Sequence, residues 1–220
     1  MYELERITVE VVSAIVCFIL VRFMVKPFRL TGETRYLGLP LGFGILGVSY
    51  AFSALSYSPL SDYTVSGPVQ LLVRAFAFFL LAVTYFFSKS ERKTKLMWNI
   101  TFGISVCTMT ILMILANVFG QFLWINYQTA RVFANIFSLI CLVYVSIHAL
   151  KSHMEQSDPT TLISPLGYVL LGIGQYSLLV WSVDASIFAF FGALALRLAG
   201  LAVFLFVSYR SFYSSERGRK

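Results

Sequence analysis

Charge is what this sequence lacks most. Charged residues fill 12% of its 220 positions, with ten Asp and Glu against seventeen Lys and Arg, whereas a water-soluble domain carries about 25%. With 58% of residues apolar, a chain of this size cannot keep its apolar surface out of water, so the expected solvent is lipid. Metal-binding and redox residues are scarce too. The three cysteines, Cys17, Cys107 and Cys141, lie in apolar runs at spacings that fit neither a metal site nor a disulfide framework, and they read as apolar filling. His148 and His153, five positions apart near a helix end, read as capping or headgroup contacts. No Gly-rich phosphate loop, His-Glu-x-x-His or Gly-x-Ser-x-Gly occurs. Neither a catalytic residue, a metal ligand nor a cofactor is expected.

What is there is a series of apolar runs near 20 residues, long enough to cross a hydrocarbon core of about 30 Å. Seven spans are predicted, at 7–25, 36–57, 67–87, 97–117, 130–150, 163–182 and 187–209. The fourth is the least clean, because Asn99, Asn117 and Gln121 blur its ends. No linker is long enough for a soluble domain, so residues 1–220 read as one membrane domain. The fold class is all-α: a polytopic integral membrane protein with seven transmembrane helices.

Basic residues set the expected orientation. Arg22, Lys26, Arg29 and Arg35 mark the first loop, Lys89, Arg92, Lys93 and Lys95 the third, and Arg210, Arg217, Arg219 and Lys220 the tail. Basic loops stay in the cytoplasm, which predicts a cell-membrane protein with its N-terminus outside and C-terminus inside. The net charge of +7 is then a topology signal and implies no nucleic acid. The opening MYELER is as acidic as it is basic, and no small-residue cleavage site follows, so the first span is expected to be retained.

Two octapeptides, PLGFGILG at 40–47 and PLGYVLLG at 165–172, are nearly the same. Shifting the chain by 125 residues without a gap matches at least eighteen of the 87 positions between 6 and 92, where a composition this biased would match roughly six by chance. The matches include Arg6/Arg131, Ser13/Ser138, the Pro-Leu-Gly triplets and Ser90-Glu91-Arg92/Ser215-Glu216-Arg217. A repeat of 6–92 as 131–217 pairs spans 1–3 with spans 5–7 and leaves span 4 as a linker. An offset of four spans keeps both copies in one orientation, a parallel arrangement about an axis along the membrane normal.

This 3+1+3 layout resembles that of the SWEET sugar transporters, and the seven-helix orientation also resembles that of the microbial rhodopsins. The rhodopsin resemblance would imply retinal on a lysine of the seventh span. That span holds Arg197 and no lysine, and an arginine that stays protonated forms no Schiff base, so retinal is not expected. The SWEET resemblance implies solute transport, although the Pro-Gln pair of that superfamily is missing.

Pro40 and Pro165 open the second helix of each copy, where proline is tolerated, and the glycines beside them keep these helices slim for close packing. A second reading makes them flexible points of an inner gate. Charge inside a span is expensive and normally faces a bundle interior in pairs. Glu10, Arg74 and Arg197 are the intramembrane charges that count, and the natural pair is Glu10 with one of the arginines. Gln70 shares a helix face with Arg74, and Asn135 occupies the repeat position of Glu10. Tyr50, Gln175 and Trp181 could add polar or aromatic walls, whereas Tyr127 and Trp124 read as interface-belt aromatics. In the gapless repeat Arg197 falls opposite Leu72, and Arg74 opposite Ala199. Two residues turn a helix by about 200°, so one arginine is expected to snorkel outward, as is Arg131.

The expected ligand-binding residues are therefore Glu10, Arg74, Arg197, Gln70, Asn135 and Gln175, with a positive balance that suits an anionic or strongly polar small ligand. The expected function is a small transporter. The alternative is a membrane receptor, sensor or accessory subunit acting through partner proteins. The lipid bilayer, and a second copy or another membrane protein, are the other expected partners.

Overall fold

A computed structural model describes residues 3–31, 37–56, 66–87, 94–118, 127–156 and 163–217. Seven helices make up nearly all of them: α1 (Glu3–Thr31), α2 (Gly38–Ser56), α3 (Ser66–Phe87), α4 (Thr94–Val118), α5 (Tyr127–Gln156), α6 (Ile163–Asp184) and α7 (Ile187–Arg217). No strand occurs among the described residues. Six helices are long and apolar enough to cross a membrane, while the apolar stretch of α4, Leu96–Leu112, is shorter. In hydrocarbon every backbone N–H and C=O must be bonded within its own segment, and apolar runs of this length meet that demand only as helices. Trp124, Gln121, Arg35, Lys89 and Ser90-Glu91-Arg92 lie outside the described residues.

The start and stop signals are local. Pro40 and Pro165 are each the third residue of their helix, in the first turn, where a missing N–H breaks no bond. Between α6 and α7 the chain turns in two residues. Ala185 takes a positive φ of 52°, and its N–H bonds the Trp181 carbonyl at 3.0 Å, a left-handed helix cap made by a residue other than glycine. Ser186 then caps α7 through its Oγ, which accepts from the Ala189 N–H at 3.4 Å. This turn sets the register of α7 against α6, and with it the depth of Arg197.

The helices pack in a ring. α1 lies on α2 and α2 on α3; α5 lies on α6 and α6 on α7. The ring closes through α3 on α5 and α7 on α1, and α4 packs outside it on α3 alone among the described residues. Core residues 125 positions apart are buried alike: Cys17 and Leu142, Leu20 and Val145, Phe43 and Tyr168, Leu46 and Leu171. The third helices of the two groups follow a different shift. A Cβ on Gly42 would lie 2.6 Å from the Leu81 side chain and 3.4 Å from the Ala77 carbonyl. A Cβ on Gly167 would lie 2.7 Å from the Phe204 ring, and one on Gly200 would lie 3.0 Å from the Gly167 carbonyl. Leu81 and Phe204, like Ala77 and Gly200, are 123 residues apart.

The surface inverts the rule of soluble proteins. Phe188 is 92% exposed and many Ile, Leu and Phe side chains face outward, while Glu10, Ser13, Ser49, Ser53, Asn135, Ser138, Gln175 and Arg197 are buried. A lipid solvent explains both halves of that pattern. Exposed Arg22, Lys26, Arg29, Lys151 and Arg210 fall toward the ends of α1, α5 and α7.

Because helix association in lipid depends on close packing, Gly167→Ala is expected to destabilise the bundle by about 1–3 kcal/mol, the usual cost of overpacking. Gly172→Ala, whose Cβ would meet its first neighbour only at 3.9 Å, should be neutral. Thermal unfolding of both variants in detergent checks the contrast.

Candidate functional site

Ion pairing in the bundle centres on Glu10, 2% exposed in the second turn of α1. Arg197 of α7 holds it at 3.0 Å, from Nη1 to Oε1. Arg74 of α3 approaches the other oxygen, Nη2 to Oε2, at 3.6 Å. Both guanidinium groups also lie over the Tyr50 ring of α2, at 4.9 Å for Arg74 and 4.6 Å for Arg197. The aromatic face is a second patch of negative potential, worth more in a desolvated setting than at a surface. The expectation that one of the two arginines snorkels outward is thus not met. The reason is the register: Arg74 and Arg197 are 123 residues apart, the same shift that relates the glycine contacts below them. The route from Tyr50 to Arg74 is 24 residues and that from Gln175 to Arg197 is 22. The tight Ala185–Ser186 turn belongs to the shorter route and brings Arg197 into line with Arg74.

Arg74 Nη2 also donates to Ser53 Oγ at 3.0 Å, and the Gln70 amide donates to the same hydroxyl. Across the ring, the Gln175 amide donates to Asn135 Oδ1 at 2.8 Å. All six expected residues are brought together, Gln175 through its bond to Asn135 rather than as part of the wall. Around them lies a cavity of about 40 Å³, lined in addition by Arg6, Ser53, Tyr127, Arg131, Trp181 and Phe190. It has room for a few water molecules.

Arg131 stacks over the Trp181 ring at 3.8 Å, and Arg6 approaches the Trp181 and Phe190 rings at 5.8 and 5.7 Å. Arg131 therefore lines the cavity rather than simply reaching a headgroup, and Trp181 and Tyr127 stand at its wall. Ser53 and Arg6 were missed by the sequence reading. The Arg6/Arg131 match was the available signal for one, but nothing marked Ser53 among the serines of α2.

Two helical turns below Tyr50 and Gln175, about 10 Å along their helices, the interior is closed by aromatic rings. Phe43 meets Phe204 edge-on at 5.3 Å, and Tyr168 meets Phe204 at 4.5 Å. The Tyr85 and Tyr168 hydroxyls are hydrogen-bonded at 3.1 Å, and His148 lies edge-on to Tyr85 at 6.1 Å. Phe43 and Tyr168 are fully buried. The cavity is thus polar and cationic, with an aromatic seal beneath it.

No family model, curated protein or solved structure matches the chain. What it can do chemically has to be read from the site. Among the described residues no group of His, Cys, Asp and Glu is placed to hold a metal ion, and the polar groups around the cavity are the Glu10 carboxylate, guanidinium groups, amides and hydroxyls.

Proposed function

We propose that this multi-pass membrane protein is a small transporter for a polar or anionic solute. The observation that carries the reading is where Glu10 stands. Its carboxylate joins α1 to α3 in one three-helix group and to α7 in the other, in a cavity with an aromatic seal on one side. A solute that replaces any of these contacts changes what holds the two groups together. Binding is then coupled to their relative position, which is the requirement for alternating access.

The two groups are taken as parallel copies of one three-helix unit, 6–92 and 131–217, with α4 as the linker. Support comes from the matching core pairs and from a packing order in which α3 on α5 mirrors α7 on α1. The basic residues at the ends of α1, α5 and α7 favour a cytoplasmic aromatic seal and an outward-facing cavity, with the N-terminus outside. A receptor or accessory subunit would need no seal beneath its ligand, and nothing in the site favours it.

Flux into liposomes holding the purified protein tests the proposal. Uptake of the solute is expected to be saturable and to fall at least tenfold in Arg74→Gln. Uptake no faster than in empty liposomes across polar neutral and anionic solutes would remove transport from consideration.

A further inference from the structure

Resting on that reading, we infer that the solute is a small anion, a carboxylate or an inorganic oxyanion, and that it binds by taking the place of the Glu10 carboxylate on the Arg74–Arg197 pair. Glu10 is in this sense a tethered stand-in for the cargo.

Charge is the first argument. Among the described residues, Arg74 and Arg197 both pair with the single carboxylate of Glu10, so this buried cluster carries a net positive charge. A cation would be repelled, and a neutral solute would leave the second guanidinium uncompensated in a low-dielectric interior.

Hydrogen bonding is the second argument. Two guanidinium groups share one carboxylate. Arg197, 7% exposed, has Nε and Nη2 buried without an acceptor among the described residues, and the same holds for Arg74 Nε. Glu10 Oε2 is likewise without a hydrogen-bond partner, since the Arg74 contact is 3.6 Å. A buried donor left unbonded costs more than an ordinary hydrogen bond returns. Guanidinium groups are shaped to take oxyanions through two parallel N–H bonds, and Nε with Nη2 of Arg197 is one such edge. Among the described residues no second carboxylate lines the cavity: 125 residues on from Glu10 stands Asn135, already bonded to Gln175.

The third argument is that the displaced carboxylate has somewhere to go. Arg6 lies one turn from Glu10 on α1, the spacing at which opposite charges meet on a helix, and it lines the same cavity. The Glu10 side chain can swing from the arginine pair toward Arg6 while remaining charged and paired. Entry of the anion then replaces one bridge between α1 and α7 with a free ion. That loosens the contact between the two three-helix groups only when cargo is present. The small cavity restricts the cargo to an anion of a few heavy atoms, with Trp181 and Phe190 as its aromatic wall.

The test measures binding by titration calorimetry and thermal unfolding on the whole protein in nanodiscs, at constant ionic strength. The probes are acetate, phosphate, acetamide and tetramethylammonium. Wild-type protein is expected to be stabilised by acetate or phosphate and by neither of the others; which of the two works assigns the source as an organic acid or an inorganic oxyanion. Glu10→Gln is expected to unfold at a lower temperature without anion, to recover toward wild type with it, and to bind it at least tenfold more tightly, because the competitor is gone. Arg197→Gln should lose that binding. Equal stabilisation by acetate and acetamide overturns the inference, as does anion binding that weakens in Glu10→Gln. If Glu10→Gln does not fold, the wild-type probe series decides alone. Anion binding without flux in liposomes would leave this inference standing and end the transport reading. Flux of a neutral solute without anion binding would do the reverse.

Discussion

Replacing Arg197 with Met is expected to destabilise the protein by about 3–5 kcal/mol, the usual result of removing one partner of a buried ion pair. Glu10 would lose its 3.0 Å contact and keep the one to Arg74, 3.6 Å away, and Tyr50 would lose one of the two cations over its ring. Glu10→Leu should cost a similar amount, because it leaves two guanidinium groups without an anion. The double variant Glu10→Leu/Arg197→Met is expected to cost far less than the sum of the two. Once the pair is gone, both positions are apolar in an apolar bundle. The remaining Arg74 keeps its bond to Ser53 and a side chain 15% exposed at the cavity. Unfolding titrations of the four proteins give the coupling energy directly. Additive losses would mean that Glu10 and Arg197 do not act on one another as their 3.0 Å contact requires.

Tyr168→Ala is the second large effect. Removing a fully buried aromatic ring costs about 3–5 kcal/mol, and here it also removes the edge-on partner of Phe204 and the hydroxyl that bonds Tyr85. The seal beneath the cavity would be breached. Proteoliposomes carrying Tyr168→Ala are expected to leak solute down its gradient instead of exchanging it. Tyr85→Phe is the control. It keeps the ring and loses the hydroxyl bond to Tyr168; such a bond within a membrane bundle is worth about 0.6 kcal/mol on average, so exchange should persist. A sealed Tyr168→Ala protein would place the barrier elsewhere.

The grouping of the six candidate residues was legible because intramembrane polar groups have few places to go. Glu10, Arg74 and Arg197 stood out against apolar runs, and the cost of burying charge directed Glu10 toward one of the arginines. The relation between the two arginines was not legible. A gapless shift of 125 sets Arg197 against Leu72, half a turn or more from Arg74, and only the tight Ala185–Ser186 turn reveals that α7 sits two residues out of that register. Identities such as Ala77/Ala202 and Phe79/Phe204 favoured the gapless reading, since Ala and Phe match cheaply in apolar segments. The contacts of Gly42 and Gly167 follow the other shift. The aromatic seal was hidden for a related reason. Phe43 and Tyr168 lie within the PLGFGILG and PLGYVLLG stretches, where the glycines drew attention as packing residues. That their ring-bearing neighbours meet Phe204 depends on crossing geometry that no pattern of 3.6 residues encodes.

The measurement closest to the central claim is counterflow. Liposomes carrying the protein are loaded with unlabelled small anion, and a trace of labelled anion is added outside. A carrier whose two halves alternate around Glu10, Arg74 and Arg197 will accumulate label transiently above equilibrium, and the overshoot will vanish in Arg74→Gln. Label that only equilibrates, at the same rate whether or not the liposomes are preloaded, would contradict alternating access at this site.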